Sequence, residues 1–77
     1  MVVGRAGGER VRGRVASFDD PRGIGTVTDE TGDHEYPFHC TAIADGTRTI
    51  EVGAAIDFVV VAGRLGRWEA ADLQPRG

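Results

Sequence analysis

Arg22-Gly23-Ile24-Gly25-Thr26-Val27, followed across a short acidic turn by Tyr36-Pro37-Phe38-His39-Cys40, is the stretch whose reading settles the architecture. Residues that alternate in this way describe strands that present a surface at every second position. Asp29-Glu30-Thr31-Gly32-Asp33 lies between them as a turn tipped with glycine. The two segments therefore read as antiparallel neighbours, Gly23 to Thr28 and Glu35 to His39, whose outward side chains share one platform. Pro37 has no N–H, which confines its strand to a sheet edge or a bulge.

Upstream, Arg10 to Phe18 alternates as a first strand. Val11, Gly13, Val15 and Ser17 share one face, and Arg12, Arg14, Ala16 and Phe18 the other. Asp19-Asp20-Pro21-Arg22-Gly23 is the turn that follows, with Gly23 allowing the exit. Downstream, Thr41 to Ala44 fits a single helical or 3₁₀ turn, and Asp45 to Thr49 is loop. Ala55 to Ala62 is the clearest strand, with Ile56, Phe58 and Val60 on one face and Val59 and Val61 making the other apolar too. Gly63 to Arg67 is a turn, and Trp68 to Leu73 is the last strand. Trp68 either covers a barrel end or offers a patch to a partner, and the first is the commoner arrangement. Residues 1–10 form a flexible leader, 11–74 a single domain and 75–77 a tail.

Five short strands with regular turn signals and no helical period indicate a small sandwich or barrel. A chain of 77 residues can bury only about 60% of its unfolded surface, which favours a tight all-β module. The net charge is -3, and all nine cationic residues are arginines. A negative total argues mildly against nucleic acid as a partner. Arginine can nevertheless pair with phosphate and stack on a base. No apolar run approaches the roughly 20 residues of a membrane helix, so no membrane partner is expected. The one cysteine, Cys40, cannot form an internal disulfide, and a cytoplasmic location is expected.

No catalytic constellation emerges. His34, His39 and Cys40 fall short of the ligand set of a zinc site, and neither metal nor cofactor is expected. Cys40 lacks an activating neighbour and reads as an inert thiol. Gly23-x-Gly25 lacks the third glycine of a dinucleotide fingerprint, with Thr28 in its place, and no helix pattern follows. Asp19, Asp20, Asp29, Glu30 and Asp33 read as solvated turn residues. The protein is not expected to be an enzyme.

In order and spacing, these segments resemble the cold-shock domain family. Gly13-Arg14-Val15 followed by Phe18 is similar to its opening strand. Arg22-Gly23-Ile24-Gly25-Thr26-Val27 sits where the family has Lys-Gly-Phe-Gly-Phe-Ile, and Phe38-His39-Cys40-Thr41-Ala42-Ile43 where it has Val-His-Phe-Ser-Ala-Ile. Gly46-Thr47-Arg48-Thr49-Ile50, Gly53, Phe58-Val59-Val60, Gly66 and Ala70-Ala71-Asp72-Leu73 complete the match. The resemblance implies an all-β, five-stranded antiparallel OB-fold barrel of cold-shock type. It also implies binding of single-stranded RNA or DNA on exposed aromatics. Here Ser17 stands at a Trp position, Ile24, Thr26, Pro37 and Cys40 at Phe positions, and Thr47 at the Phe of a loop. Phe18 and His39 remain.

The implied surface consists of Phe18, Ile24, Thr26 and His39 toward bases, with Arg14, Arg22 and Arg48 toward phosphates. Base–aromatic stacking contributes about 1–3 kcal/mol per base. Losing about 3–5 kcal/mol weakens binding by roughly 10²–10³-fold or more. Binding should then be weak, salt-sensitive and low in sequence specificity. Replacing Phe18 and His39 by Ala should weaken it with the fold intact. The alternative is a cold-shock-fold module for protein interaction or structure, docking a protein partner through Ile24, Pro37, Cys40, Val59 and Trp68. A monomer is favoured over a dimer.

Overall fold

The computed structural model describes residues 10–44, 46, 49–63 and 66–76. Five strands form one antiparallel sheet: β1 (Arg10–Asp19), β2 (Ile24–Asp29), β3 (Glu35–His39), β4 (Ala55–Ala62) and β5 (Trp68–Pro75). A 3₁₀ turn, Cys40–Ala42, follows β3. The spatial order is β3-β2-β1-β4-β5, so β3 is an edge strand and accommodates Pro37 as the sequence requires. β5 runs past Leu73 because Ile56 pairs with Pro75 and the Arg76 amide donates to the Ala55 carbonyl at 3.0 Å. The expected leader lies, apart from Arg10, outside the described residues.

β1 gives the sheet its curl. Its first half pairs with β4, its second half with β2, and only Gly13 and Arg14 pair on both sides. The sheet edges approach each other without forming a full ladder. Ile43 makes a parallel bridge to Leu73, and the Ala44 amide donates to the Leu73 carbonyl at 2.8 Å. The result is the partly open barrel of the OB architecture. Inside it, Phe58, Ile56, Leu73, Val15 and Val27 are fully buried. Tyr36 meets Phe58 edge-on at 5.9 Å. Cys40 is buried with them, and its Sγ lies 3.8 Å from His39 Nδ1, a neighbour the sequence did not announce. Trp68 leaves 53% of its surface exposed, so it does not cap the core as expected.

Two irregularities disturb the simple alternation. In β1 the pairing steps from Val15–Val27 to Ser17–Thr26, so Ala16 is an extra residue. A bulge of this kind reverses which side chains face the core beyond it. Ser17 therefore turns outward and Phe18 inward, the opposite of the alternation read from sequence. In β5 the step from Asp57–Gln74 to Val59–Ala71 leaves an extra residue, and Asp72 there adopts φ 52°. Left-handed backbone is uncommon outside glycine, and Asp and Asn tolerate it best.

Asp72 is also held by Arg10. The Arg10 guanidinium donates to Asp72 Oδ2 at 2.7 Å and to the Asp72 carbonyl at 2.6 Å. It also donates to Asp57 Oδ1 at 2.5 Å and to the Asp57 carbonyl at 3.2 Å. Hydrogen bonds from Arg10 and Gln74 outweigh a small desolvation and hold the Asp72 carboxyl below its ordinary value. A depressed carboxyl stabilises the fold above its unfolded pKa, and that contribution is lost as pH falls through the folded value. Asp72→Asn keeps a residue that tolerates the backbone and removes the charge. Urea midpoints should therefore be lower for Asp72→Asn than for the native protein at pH 7. The gap should narrow as pH falls below the unfolded value of the carboxyl and close only once the lowered folded value is passed.

Candidate nucleic-acid interface

The registers of β1, β2 and β3 align their side chains into rungs. Three rungs face outward: Arg14, Thr28 and Glu35; Ser17, Thr26 and Pro37; Asp19, Ile24 and His39. Between them, Val15, Val27 and Tyr36, then Phe18, Gly25 and Phe38, face the core. The strands carrying residues 22–27 and 36–40 therefore form one platform. An open groove of about 550 Å³ lies along it, lined among others by Phe18, Ile24, Pro37, Phe38 and His39, with Asp19 and Glu69 on its margin.

Gly25 makes the groove possible. A Cβ at this position would lie 2.3 Å from the Ser17 carbonyl oxygen and 2.9 Å from the Phe38 ring. Without it, Phe38 closes over the backbone and stacks on Phe18, with centroids 5.9 Å apart and planes at 7°. Phe18 is half-buried and packs against the core, yet it still lines the groove. It stands at the rim, and this corrects its placement on the Arg12 and Arg14 face. Ile24 is 42% exposed and, with Pro37, lines the groove as an apolar contact.

Polar groups on the platform are ordered by one another. Ser17 and Thr26 hydroxyls lie 2.8 Å apart, and Thr26 Oγ1 donates to Glu35 Oε2 at 2.9 Å. His39 Nδ1 accepts from the Thr41 amide at 3.2 Å and lies 3.0 Å from its hydroxyl. With Nδ1 accepting, the proton of the neutral ring sits on Nε2, which is then a donor. His34 turns away to Asp29, 3.1 Å from Oδ2.

Asp29 is more than a solvated turn residue. Its Oδ1 accepts from the Thr31 hydroxyl at 2.9 Å and the Asp33 amide at 3.1 Å, which fastens the β2–β3 turn. Desolvation pushes the Asp29 carboxyl up. Hydrogen bonds from His34, Thr31 and the backbone outweigh it and hold the carboxyl below its ordinary value.

The predicted phosphate contacts divide. Arg14 lies exposed on the first outward rung, in register with Thr28, and makes no ion pair with a described residue. Arg22 sits in the β1–β2 turn, 75% exposed, with Nε 3.7 Å from Asp19 Oδ2. That long contact leaves the guanidinium open to a stronger partner. Arg48, like Thr47, lies outside the described residues. Glu35 joins the platform through the register, which residue type does not announce, and Ser17, at the family's Trp position, faces outward because of the bulge.

A five-stranded, partly open barrel with an exposed three-stranded face and a groove defines an OB-type binding module. The model of the 'Cold-shock' DNA-binding domain family matches residues 11–75, and the chain belongs to that family. Its members are nucleic-acid-binding rather than enzymatic modules, and their general partner is single-stranded nucleic acid. Glycine-rich protein 2 of Nicotiana sylvestris is 33% identical over 67 residues, covering 86% of this chain and 31% of that protein. The solved structure of drosophila Unr CSD456 is similar in fold, with a TM-score of 0.73 at 23% identity. That match covers 90% of this chain and 27% of the other. The chain thus spans about a third of either relative or less.

The Phe18–Phe38 stack changes what a substitution at Phe18 should do. Phe18→Ala removes half-buried packing and an aromatic pair, a loss of about 1–3 kcal/mol. Its urea unfolding midpoint should fall, whereas His39→Ala, which removes an exposed ring and its cap on the Thr41 amide, should lower the midpoint less. Equal midpoints for Phe18→Ala and the native protein would show that Phe18 is not part of the packing.

Proposed function

We propose that this protein binds single-stranded RNA or DNA weakly on the β1–β2–β3 face. The observation that carries the reading is the groove itself. It coincides with the two family motifs, and it is apolar through Ile24, Pro37, Phe18 and Phe38. In the rung order it lies between exposed Arg14 and exposed Arg22. Bases would lie against Ile24, Pro37, the rim of Phe18 and the His39 ring. The backbone would pass the two arginines. Fewer flat rings mean less stacking per base, so a larger share of the affinity falls to phosphate contacts, which read no sequence.

The acidic margin formed by Asp19 and Glu69 favours a second reading, in which the same groove takes a protein segment. The two readings differ in their response to salt and to nuclease.

A short fluorescent single strand of mixed sequence, titrated by anisotropy, tests the proposal. Binding should saturate in the micromolar range at 50 mM salt. With two or three phosphate contacts it should weaken about 7- to 20-fold by 200 mM. Arg14→Ala and Arg22→Ala should each flatten that dependence. No saturable binding at low salt would overturn the proposal, and a nuclease-insensitive protein complex lost in Ile24→Asp would establish the second reading.

A further inference from the structure

The Ser17–Thr26–Glu35 row has a direction. A threonine hydroxyl carries one proton, and that of Thr26 is given to Glu35 Oε2 at 2.9 Å. The contact between Ser17 Oγ and Thr26 Oγ1, at 2.8 Å, must then run the other way, with Ser17 as donor. The carboxylate of Glu35 has no proton to give. All three side chains therefore have their protons committed along the row, and what they offer outward is lone pairs only. Ser17 and Glu35 are exposed, and Thr26 is partly so. Ser17 and Thr26 line the groove in which the bases are placed.

We infer that this row makes the platform selective for bases with an exocyclic amino group, with Glu35 as the specificity-determining acceptor. The inference rests on the proposed function and deepens it. Cytosine presents its N4 amino group as a donor, which a carboxylate accepts. Uracil presents a carbonyl oxygen at the same place, and two acceptors facing each other repel. Adenine and guanine also carry amino groups and are accepted. Phosphate, an acceptor throughout, is excluded from the row and directed to Arg14 and Arg22. The preference for an amino group thus falls on the base that lies across Ser17, Thr26 and Glu35.

Two probes isolate the point: single strands of deoxycytidine and of deoxyuridine of equal length, which share a backbone and differ at the base. At pH 7 the native protein should bind the cytidine strand about 5- to 10-fold more tightly, the lower part of what one good base contact provides. Glu35→Gln keeps an oxygen for the Thr26 hydroxyl and adds an amide donor that suits the uracil O4. In that variant the ratio should fall to about one, chiefly through tighter binding of the uridine strand. Loss of a negative charge strengthens binding to both strands alike, so the ratio is the readout that a purely electrostatic role would not move. Thr26→Val, which breaks the row at its centre, should also reduce the ratio. Both substitutions lie on the outer face, and an unchanged urea midpoint verifies the fold. Equal affinity for the two strands, or a ratio that survives Glu35→Gln, would overturn the inference while leaving nucleic-acid binding standing. Failure of both strands to bind at low salt would overturn the binding proposal and this inference with it.

Discussion

The extra residue Ala16 in β1 is the constraint on which the binding face depends. Up to Val15 the strand alternates in phase with β4, and beyond Ala16 it alternates in phase with β2. A strand without that insertion would bury Ser17 and expose Phe18. With it, a hydroxyl joins the outer surface and an aromatic ring joins Phe38. One inserted residue thus decides both the rim of the core and the chemistry of the platform. It also lets β1 serve two partners in different directions, which is how a five-stranded sheet curls into a barrel.

Much of the fold is legible in the residues because the local signals agree. Pro37 marks an edge strand, and β3 is one. Gly23 leaves the turn at φ 69°, as an exit before Ile24 requires. Ile56 and Phe58 share a face, and both are fully buried. What remained hidden is what depends on partners distant in sequence. The reversal at Ala16 needs the β2 register. The role of Asp29 needs the backbone of its turn. Arg10, read as the end of a leader and the start of a strand, turns out to reach Asp57 and Asp72, neither of which any pattern near Arg10 could announce. Trp68 illustrates the opposite failure, since its size suggests burial and its strand position leaves it outside. The pairing of the two motif strands was legible in their spacing, whereas the register and the bulge put Ser17 and Glu35 on the outer face and Phe18 at the rim.

The platform has also exchanged one kind of recognition surface for another. Where the family resemblance places flat rings, this chain has two hydroxyls, a branched aliphatic side chain and a proline. The hydroxyls connect through Thr26 to a carboxylate, so the centre of the face is polar and its lower rung apolar. Net charge does not decide whether such a surface meets a polyanion. Arg14 stands at the β1 end of the first rung and Arg22 in the β1–β2 turn, while Glu35 ends the first rung on β3 and Asp19 the third on β1. Charges separated in this way guide the path of a backbone more than they raise total affinity.

The Arg10 clamp has a consequence for how the molecule assembles. Its two carboxylates lie 47 and 62 positions along the chain. Closing so long a loop costs entropy that only an already folded sheet offsets. The clamp can therefore form only after β4 and β5 have docked, and it can act as a latch on the finished barrel rather than as a guide to it. Interactions of that kind leave the folding rate nearly unchanged and slow unfolding instead. Arg10 and Asp72 would then govern how long the closed barrel lasts rather than how quickly it is reached.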